Sequence, residues 1–214
     1  MIGLFTHRQR LRQAVVDAPQ RLRDIVSADV NLTVWKRPVQ EDIDLLGRFI
    51  IRQGLPAFQE SVVPENAVSR LRTYLEDIPF SPLAKQLLLH DVLVLLDEAF
   101  ALSADNRVKL ILKTVADDAC TKFHTDGYDY RLLCTYVGEG TEWVPDAYVN
   151  RAKLVKGTNT EIVTDLLQVQ RLSAFDVAIL KGEASHANRG KGIVHRSPPI
   201  ETTQVKRLLL RIDI

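Results

Sequence analysis

Cysteine is nearly absent from this sequence: Cys120 and Cys134 are the only two in 214 residues, and they lack the CxxC spacing of a zinc ribbon or a thioredoxin-like site. They can form at most one bridge, so reduced thiols are the simpler expectation. Net charge is absent too. Lys and Arg number 28 against 27 Asp and Glu, which leaves +1. No whole-molecule field draws such a chain to phosphate backbones or acidic membranes, and neither nucleic acid nor a membrane is expected as a partner. No stretch reaches 18 apolar residues without a charge, and the N-terminal MIGLFTHRQRLRQAVV meets its arginines too early for a signal peptide. A cytoplasmic location is expected. Internal repeats, low-complexity tracts and flexible Gly/Ser linkers are also missing, so one cooperative unit is expected rather than two independent ones.

What is present is an ordinary globular balance, 46% apolar and 26% charged residues. At this length roughly 70% of the unfolded surface can be buried, which excludes global disorder. Glycine divides the chain: Gly3, Gly47 and Gly54 are the only ones before residue 105, and the other seven of the ten lie from Gly127 onward. Before residue 105 the apolar spacing is helical. Leu83, Leu87, Leu88, Val92, Leu95, Leu96 and Phe100 line one face of a helix opened by Ser81 and Pro82. Weaker helical spacing covers residues 6–27, 39–53 and 64–76, with Asn31 to Trp35 as a short strand between the first two. After about Asn106 the period changes to two, and RVKLILKTV, YRLLCTYV, LLQVQRL, FDVAILKG, GIVHRSP and VKRLLLRID read as strands separated by turn residues. The expected fold is therefore α+β, with a mainly helical N-terminal region, residues 1–105, packed on a C-terminal barrel or jelly roll, residues 106–214.

The chemistry is concentrated in KFHTDGYDY. His124 and Asp126 stand two residues apart at a strand end, so their side chains leave the backbone on one side and can converge on one ion. A third ligand must come from elsewhere, and His195, just ahead of a double-proline stop, is the candidate. Two imidazoles and one carboxylate make the facial triad of non-haem Fe(II) oxygenases, which leaves three metal positions open, although zinc also accepts such a set. Without a metal the same residues would simply hydrogen-bond at strand ends.

On the last strand Arg207, Leu209, Arg211 and Asp213 alternate with Leu208, Leu210, Ile212 and Ile214. A charged inward face fits a barrel that holds an anion, whereas a core built on the Leu/Ile face would leave the arginines on the surface. A hairpin around PPIETT would bring Arg207 level with His195 if its turn is centred near residue 201, and Arg211 if near 203. Either guanidinium could pair with a carboxylate such as the distal end of 2-oxoglutarate, with Tyr136 adding a hydroxyl from a neighbouring strand. His7, His90 and His186 read as surface or structural residues, Cys134 as a buried small residue and Trp143 as core. Glycines of GEGTEW lack the following helix of a phosphate loop.

HTD at His124 to Asp126, FDVAILKG, HRSPP after His195 and the late arginines resemble the double-stranded β-helix of the Fe(II)- and 2-oxoglutarate-dependent oxygenases over roughly residues 106–214. More closely, FHTD followed by YRLLCTYVGEGTEWVP and VHRSPP resembles the bacterial family catalogued as domain of unknown function 1826, over most of the chain. That family carries no reaction across. The sequence departs from a cupin, which shows HxH followed by Glu, and from the halogenase variant, which vacates the position of Asp126. The resemblance implies a hydroxylase-type oxygenase in which His124, Asp126 and His195 hold Fe(II) and Arg207 or Arg211, with Tyr136, holds 2-oxoglutarate. The substrate would be a small molecule or a protein side chain. Two other readings stay open: a zinc-binding or metal-homeostasis module using the same triad without redox chemistry, and a metal-free interaction domain. Oligomeric state leaves no signature in the sequence.

Overall fold

The computed structural model describes residues 11–117, 120–199 and 205–214. Its first element departs from expectation. In place of a helix over 6–27, whose first five residues lie outside the described ones, Arg12–Val16 forms strand β1 and Pro19–Val26 a 3-10 helix. The adjacent β-branched Val15 and Val16 favour the extended chain, and Pro19 then restarts it as a tight helix. Burial of Leu22 and Ile25, three apart, matches a three-residue turn. Strand β2 (Val30–Trp35), helix α1 (Glu41–Gln53), helix α2 (Pro64–Glu76) and helix α3 (Pro82–Phe100) fall where the sequence put them. The Ser81 side chain accepts from the Ala84 amide and caps α3. Strand β3 (Phe58–Val62) lies in a stretch to which the apolar spacing gave no element.

The later strands are β4 (Val108–Val115), β5 (Tyr130–Val137), β6 (Glu142–Val144), β7 (Gln170–Arg171), β8 (Val177–Lys181), β9 (Val194–Arg196) and β10 (Arg207–Asp213). LLQVQRL yields only the two-residue β7, because Asp165 accepts from the Leu167 amide and turns the chain into a 3-10 helix first. A seven-stranded sheet runs β1-β2-β8-β5-β10-β4-β3, and a three-stranded one runs β7-β6-β9. The fold is thus mixed α+β around one large sheet, to which the first 105 residues contribute β1, β2 and β3 as well as helices. Between them β9 and β10 form no hairpin: they belong to different sheets, so counting from a turn could not set the level of Arg207. Residues 200–204, where that turn was placed, lie outside the described residues.

Period-two alternation sorts the large sheet into two faces. Leu208, Leu210 and Ile212 of β10, Leu132, Cys134 and Tyr136 of β5, and Leu110 and Leu112 of β4 share one apolar cluster with Ile43, Leu46, Leu71, Leu88 and Leu95 of the helices. On the other face Leu133, Val115, Leu209, Leu180 and Val34 cluster with Ile193 and Leu172, next to the small sheet. Neither alternative for the last strand holds whole: its Leu/Ile face is core, yet the arginine face is not left on the surface, with Arg207 completely buried and Arg211 half-buried. Among the described residues no helix is long and apolar enough to cross a membrane.

Candidate metal centre

His195 lies on β9, and His124 is bridged to it by two backbone hydrogen bonds of 3.0 Å, one in each direction. This bridge places the rings 4.6 Å apart, centroid to centroid. Each ring is fixed by its other nitrogen: Nδ1 of His124 donates to the Lys122 carbonyl at 2.8 Å, and Nδ1 of His195 to the Ile193 carbonyl at 3.2 Å. With Nδ1 protonated, Nε2 of each imidazole carries a free lone pair. Burial pushes the His195 imidazole down to about 4, so the ring is neutral at physiological pH and ready to ligate.

Asp126 completes the set. One ligand atom from each of His124, Asp126 and His195 lies within 4.8 Å of the others. The loop that carries Asp126 is strapped to the segment after β8: Glu183 N–H donates to the Asp126 carbonyl at 2.9 Å and Ser185 N–H to Asp129 Oδ1 at 2.7 Å. Gly182 makes this possible, because any Cβ there would overlap the Tyr128 carbonyl. Arg131 Nη1 holds Asp126 Oδ1, while Oδ2, 3.5 Å from His195 Nε2, has no hydrogen-bond partner although buried.

His124 and His195 open on a cavity of about 90 Å³ whose lining also includes Lys113, Arg131, Leu133, Thr141, Arg207 and Arg211. Arg207 is completely buried. Its Nη2 donates to Thr135 Oγ1 at 3.1 Å and to Thr141 Oγ1 at 3.3 Å, yet Nε and Nη1 have no partner. Burial pushes this guanidinium down to about 10. Gly138, at φ +87°, lets the chain pass close beneath it, since a Cβ would sit 2.8 Å from the Lys206 carbonyl. Among the described residues five buried side-chain polar atoms lack a partner, and Asp126 Oδ2, Arg207 Nε and Arg207 Nη1 are three of them. Orphaned buried donors and acceptors are rare, and Arg207 carries two of them at the cavity that both imidazoles line.

Two sequence-based candidates for the anion fare differently. Arg211 lines the cavity, but Nε and Nη2 are spent on Asp213 at 2.8 and 2.6 Å. Tyr136 is a correction: it projects from the opposite face of β5 into the core under the helices, where its hydroxyl donates to Asp91 Oδ2 at 2.7 Å and its ring packs edge-on against Phe175. Even parity with Cys134, rather than with Arg131, Leu133 and Thr135, decides this. Cys134 is buried, its thiol pushed up to about 12 by burial, and His90 and His186 are exposed. Sequence reasoning missed Arg131, Thr135 and Thr141. Arg131 has a legible signal, since it stands five residues after Asp126 on the inward parity of β5; the threonines have none.

A family model described as "Protein of unknown function (DUF1826)" matches residues 16–213. No curated protein matches the chain in sequence. Solved structures that it resembles include the rice dioxygenase for auxin oxidation, at 12% identity and TM-score 0.53, covering 95% of this chain and 82% of that one. Full-length T7H of Neurospora crassa in complex with alpha-KG is similar at 12% identity and TM-score 0.46, covering 100% and 87%. HygX of Streptomyces hygroscopicus, with nickel and 2-oxoglutarate bound, follows at 12% identity and TM-score 0.36, covering 72% and 80%. The fold is that of the rice dioxygenase, a likeness of architecture at an identity too low to transfer a reaction.

Proposed function

Since the chain belongs to the DUF1826 family, whose description names no reaction, we propose its chemistry from the site itself: a non-haem Fe(II)- and 2-oxoglutarate-dependent oxygenase of the hydroxylase type. The two sheets then form a double-stranded β-helix around the cavity, residues 1–105 and 106–214 act as one cooperative unit, and the protein works in the cytoplasm. The observation that carries this reading is Arg207. A guanidinium with no exposure, no ion pair among the described residues and two idle donors is expensive to bury, and it lines the same cavity as both imidazoles.

The residues fit the missing group. His124 and His195 would ligate Fe(II) through Nε2 and Asp126 through Oδ2, which leaves no buried donor atom of the triad idle. Arg207 Nε and Nη1 would take a carboxylate of 2-oxoglutarate, while Thr135 and Thr141 hold the guanidinium in place. Val115, Leu133 and Leu209 keep water from that contact. Once bound, Fe(II) and 2-oxoglutarate supply the dioxygen chemistry that inserts oxygen into a substrate, here a small molecule or a protein side chain.

An anaerobic titration of 2-oxoglutarate into Fe(II)-loaded protein tests the reading. A visible charge-transfer band should appear, and be lost in His195→Ala and Arg207→Ala. No band, with zinc held more tightly than iron, would overturn the oxygenase and leave a non-redox zinc module.

A further inference from the structure

The carboxylate of the triad does not stand alone. Arg131 Nη1 binds Asp126 Oδ1, Arg131 Nε donates to Asp213 Oδ1 at 2.6 Å, and Asp213 is gripped in turn by Arg211. Asp126, Arg131, Asp213 and Arg211 thus form a row of alternating charge that ends at the metal-facing oxygen. The Arg131 guanidinium is buried, and it lies 4.9 Å over the Tyr128 ring, so it has little freedom to swing away.

We propose that Arg131 is a positioning residue that reserves a single oxygen of Asp126 for the metal and cancels the carboxylate's charge, so that a divalent cation binds weakly until an anionic co-ligand joins it. This rests on the metal-centre reading above. Outer partners of ligating imidazoles commonly accept a hydrogen bond from the ring N–H and strengthen the imidazole as a donor to the metal. Arg131 does the opposite, drawing electron density from Asp126 and blocking bidentate chelation. An incoming cation therefore meets two imidazoles, a carboxylate already answered by Arg131, and the positive groups of Arg207 and Lys113 on the cavity wall, Arg207 with two donors unpartnered. Each unit of charge acts strongly at this depth, where water screens little. A dianion such as 2-oxoglutarate answers both the cation and Arg207. Linkage then requires that each tighten the other by the same factor.

Mn(II), read as free ion by electron paramagnetic resonance, reports affinity without turnover. In the full-length wild type, saturating 2-oxoglutarate should tighten Mn(II) binding by about tenfold or more. Arg131→Gln, which keeps an amide donor but no charge, should tighten Mn(II) about tenfold without 2-oxoglutarate and shrink the coupling. Arg131→Lys keeps the charge and with it the weak binding. A mere structural brace would move the affinity the other way, so Mn(II) binding weakened about 10- to 100-fold in Arg131→Gln overturns the proposal. Equal behaviour of the Gln and Lys variants overturns it as well. If the Gln variant fails to fold, the wild type decides, because Mn(II) affinity indifferent to 2-oxoglutarate refutes the coupling. Failure of the metal centre itself looks different: Mn(II) would bind His195→Ala as well as it binds wild type, and the proposal would fall with it.

Discussion

Replacing Arg207 by Met should make the ligand-free protein more stable and at the same time abolish its response to 2-oxoglutarate. The magnitude follows from burial. The guanidinium is pushed from 12.5 down to about 10, and at about 1.36 kcal/mol per pH unit this difference amounts to about 3 kcal/mol against the charged folded state. Methionine removes that cost and fills much of the volume. It also leaves Thr135 and Thr141 without their donor, a loss of about 2 kcal/mol for the two bonds. The net gain is about 1 kcal/mol, which in a chain of this size raises the melting temperature by about 2–4 °C. Wild type should recover the difference on binding, since a ligand at about 100 times its Kd contributes about 2.7 kcal/mol. Thermal scans of both proteins, Mn(II)-loaded, with and without 2-oxoglutarate, read the whole argument. Without ligand the variant melts higher; with ligand only the wild type shifts. A variant that melts below ligand-free wild type would mean that Arg207 supports the fold and is no idle charge. A variant that still shifts with 2-oxoglutarate would remove the anion site from Arg207.

Two further perturbations separate the cavity from the core behind it. Tyr136→Phe deletes the hydroxyl contact to Asp91 while Arg37 continues to bind that carboxylate, so urea denaturation should show a loss of about 1 kcal/mol. Affinity for 2-oxoglutarate should stay within about twofold, and a tenfold fall would place Tyr136 at the site after all. His195 gives the pH dependence. Its imidazole titrates near 6.5 when unfolded and about 4 in the fold, so between these values the unfolded chain binds more protons. Metal-free stability is therefore full above pH 6.5 and falls by up to about 3 kcal/mol as pH drops to about 4. His195→Gln should flatten that part of the profile of urea midpoint against pH; an unchanged slope would show that another group is responsible.

How much of this was legible in the sequence depends on how local each signal is. Helices α1, α2 and α3 announce themselves through apolar spacing and, at α3, through Ser81 and Pro82, because the information sits within one element. The strand β1 was hidden because Arg12 to Val16 also fits a helical stripe, and its pairing with β2 is set by tertiary contact rather than by propensity. His124 and Asp126 could be joined from sequence because two residues in extended chain share a side. Bringing His195 to them needed a bridge between segments 71 residues apart, which only the residue types suggested. Tyr136 failed for the converse reason. A hydroxyl near the expected anion was weighed by residue type, while its parity with Cys134 already put it on the other face of β5.

The site is divided between the two sheets, and this division explains why its polar atoms are left unpaired. His195 belongs to the small sheet and holds His124 to it by an isolated bridge, whereas Arg207, Arg131 and Arg211 stand on strands of the large one. Leu32, Val34, Leu133, Leu180, Ile193 and Leu209 form a single apolar cluster between them, and close packing there fixes the separation of the two sets of groups. Were the sheets free to collapse, Arg207 could reach a carboxylate of its own chain and the cavity would close on itself. Instead the helices bury the opposite face of β10, so the large sheet is held from behind by Leu208, Leu210 and Ile212. The apolar layers on both sides thus hold open a polar gap that the chain does not fill, and a constellation of ligands is only as well defined as the packing that supports it. Consistency breaks at Asp126 Oδ2 and Arg207 because the fold keeps them apart, and such breaks in an otherwise satisfied interior are where function is to be sought.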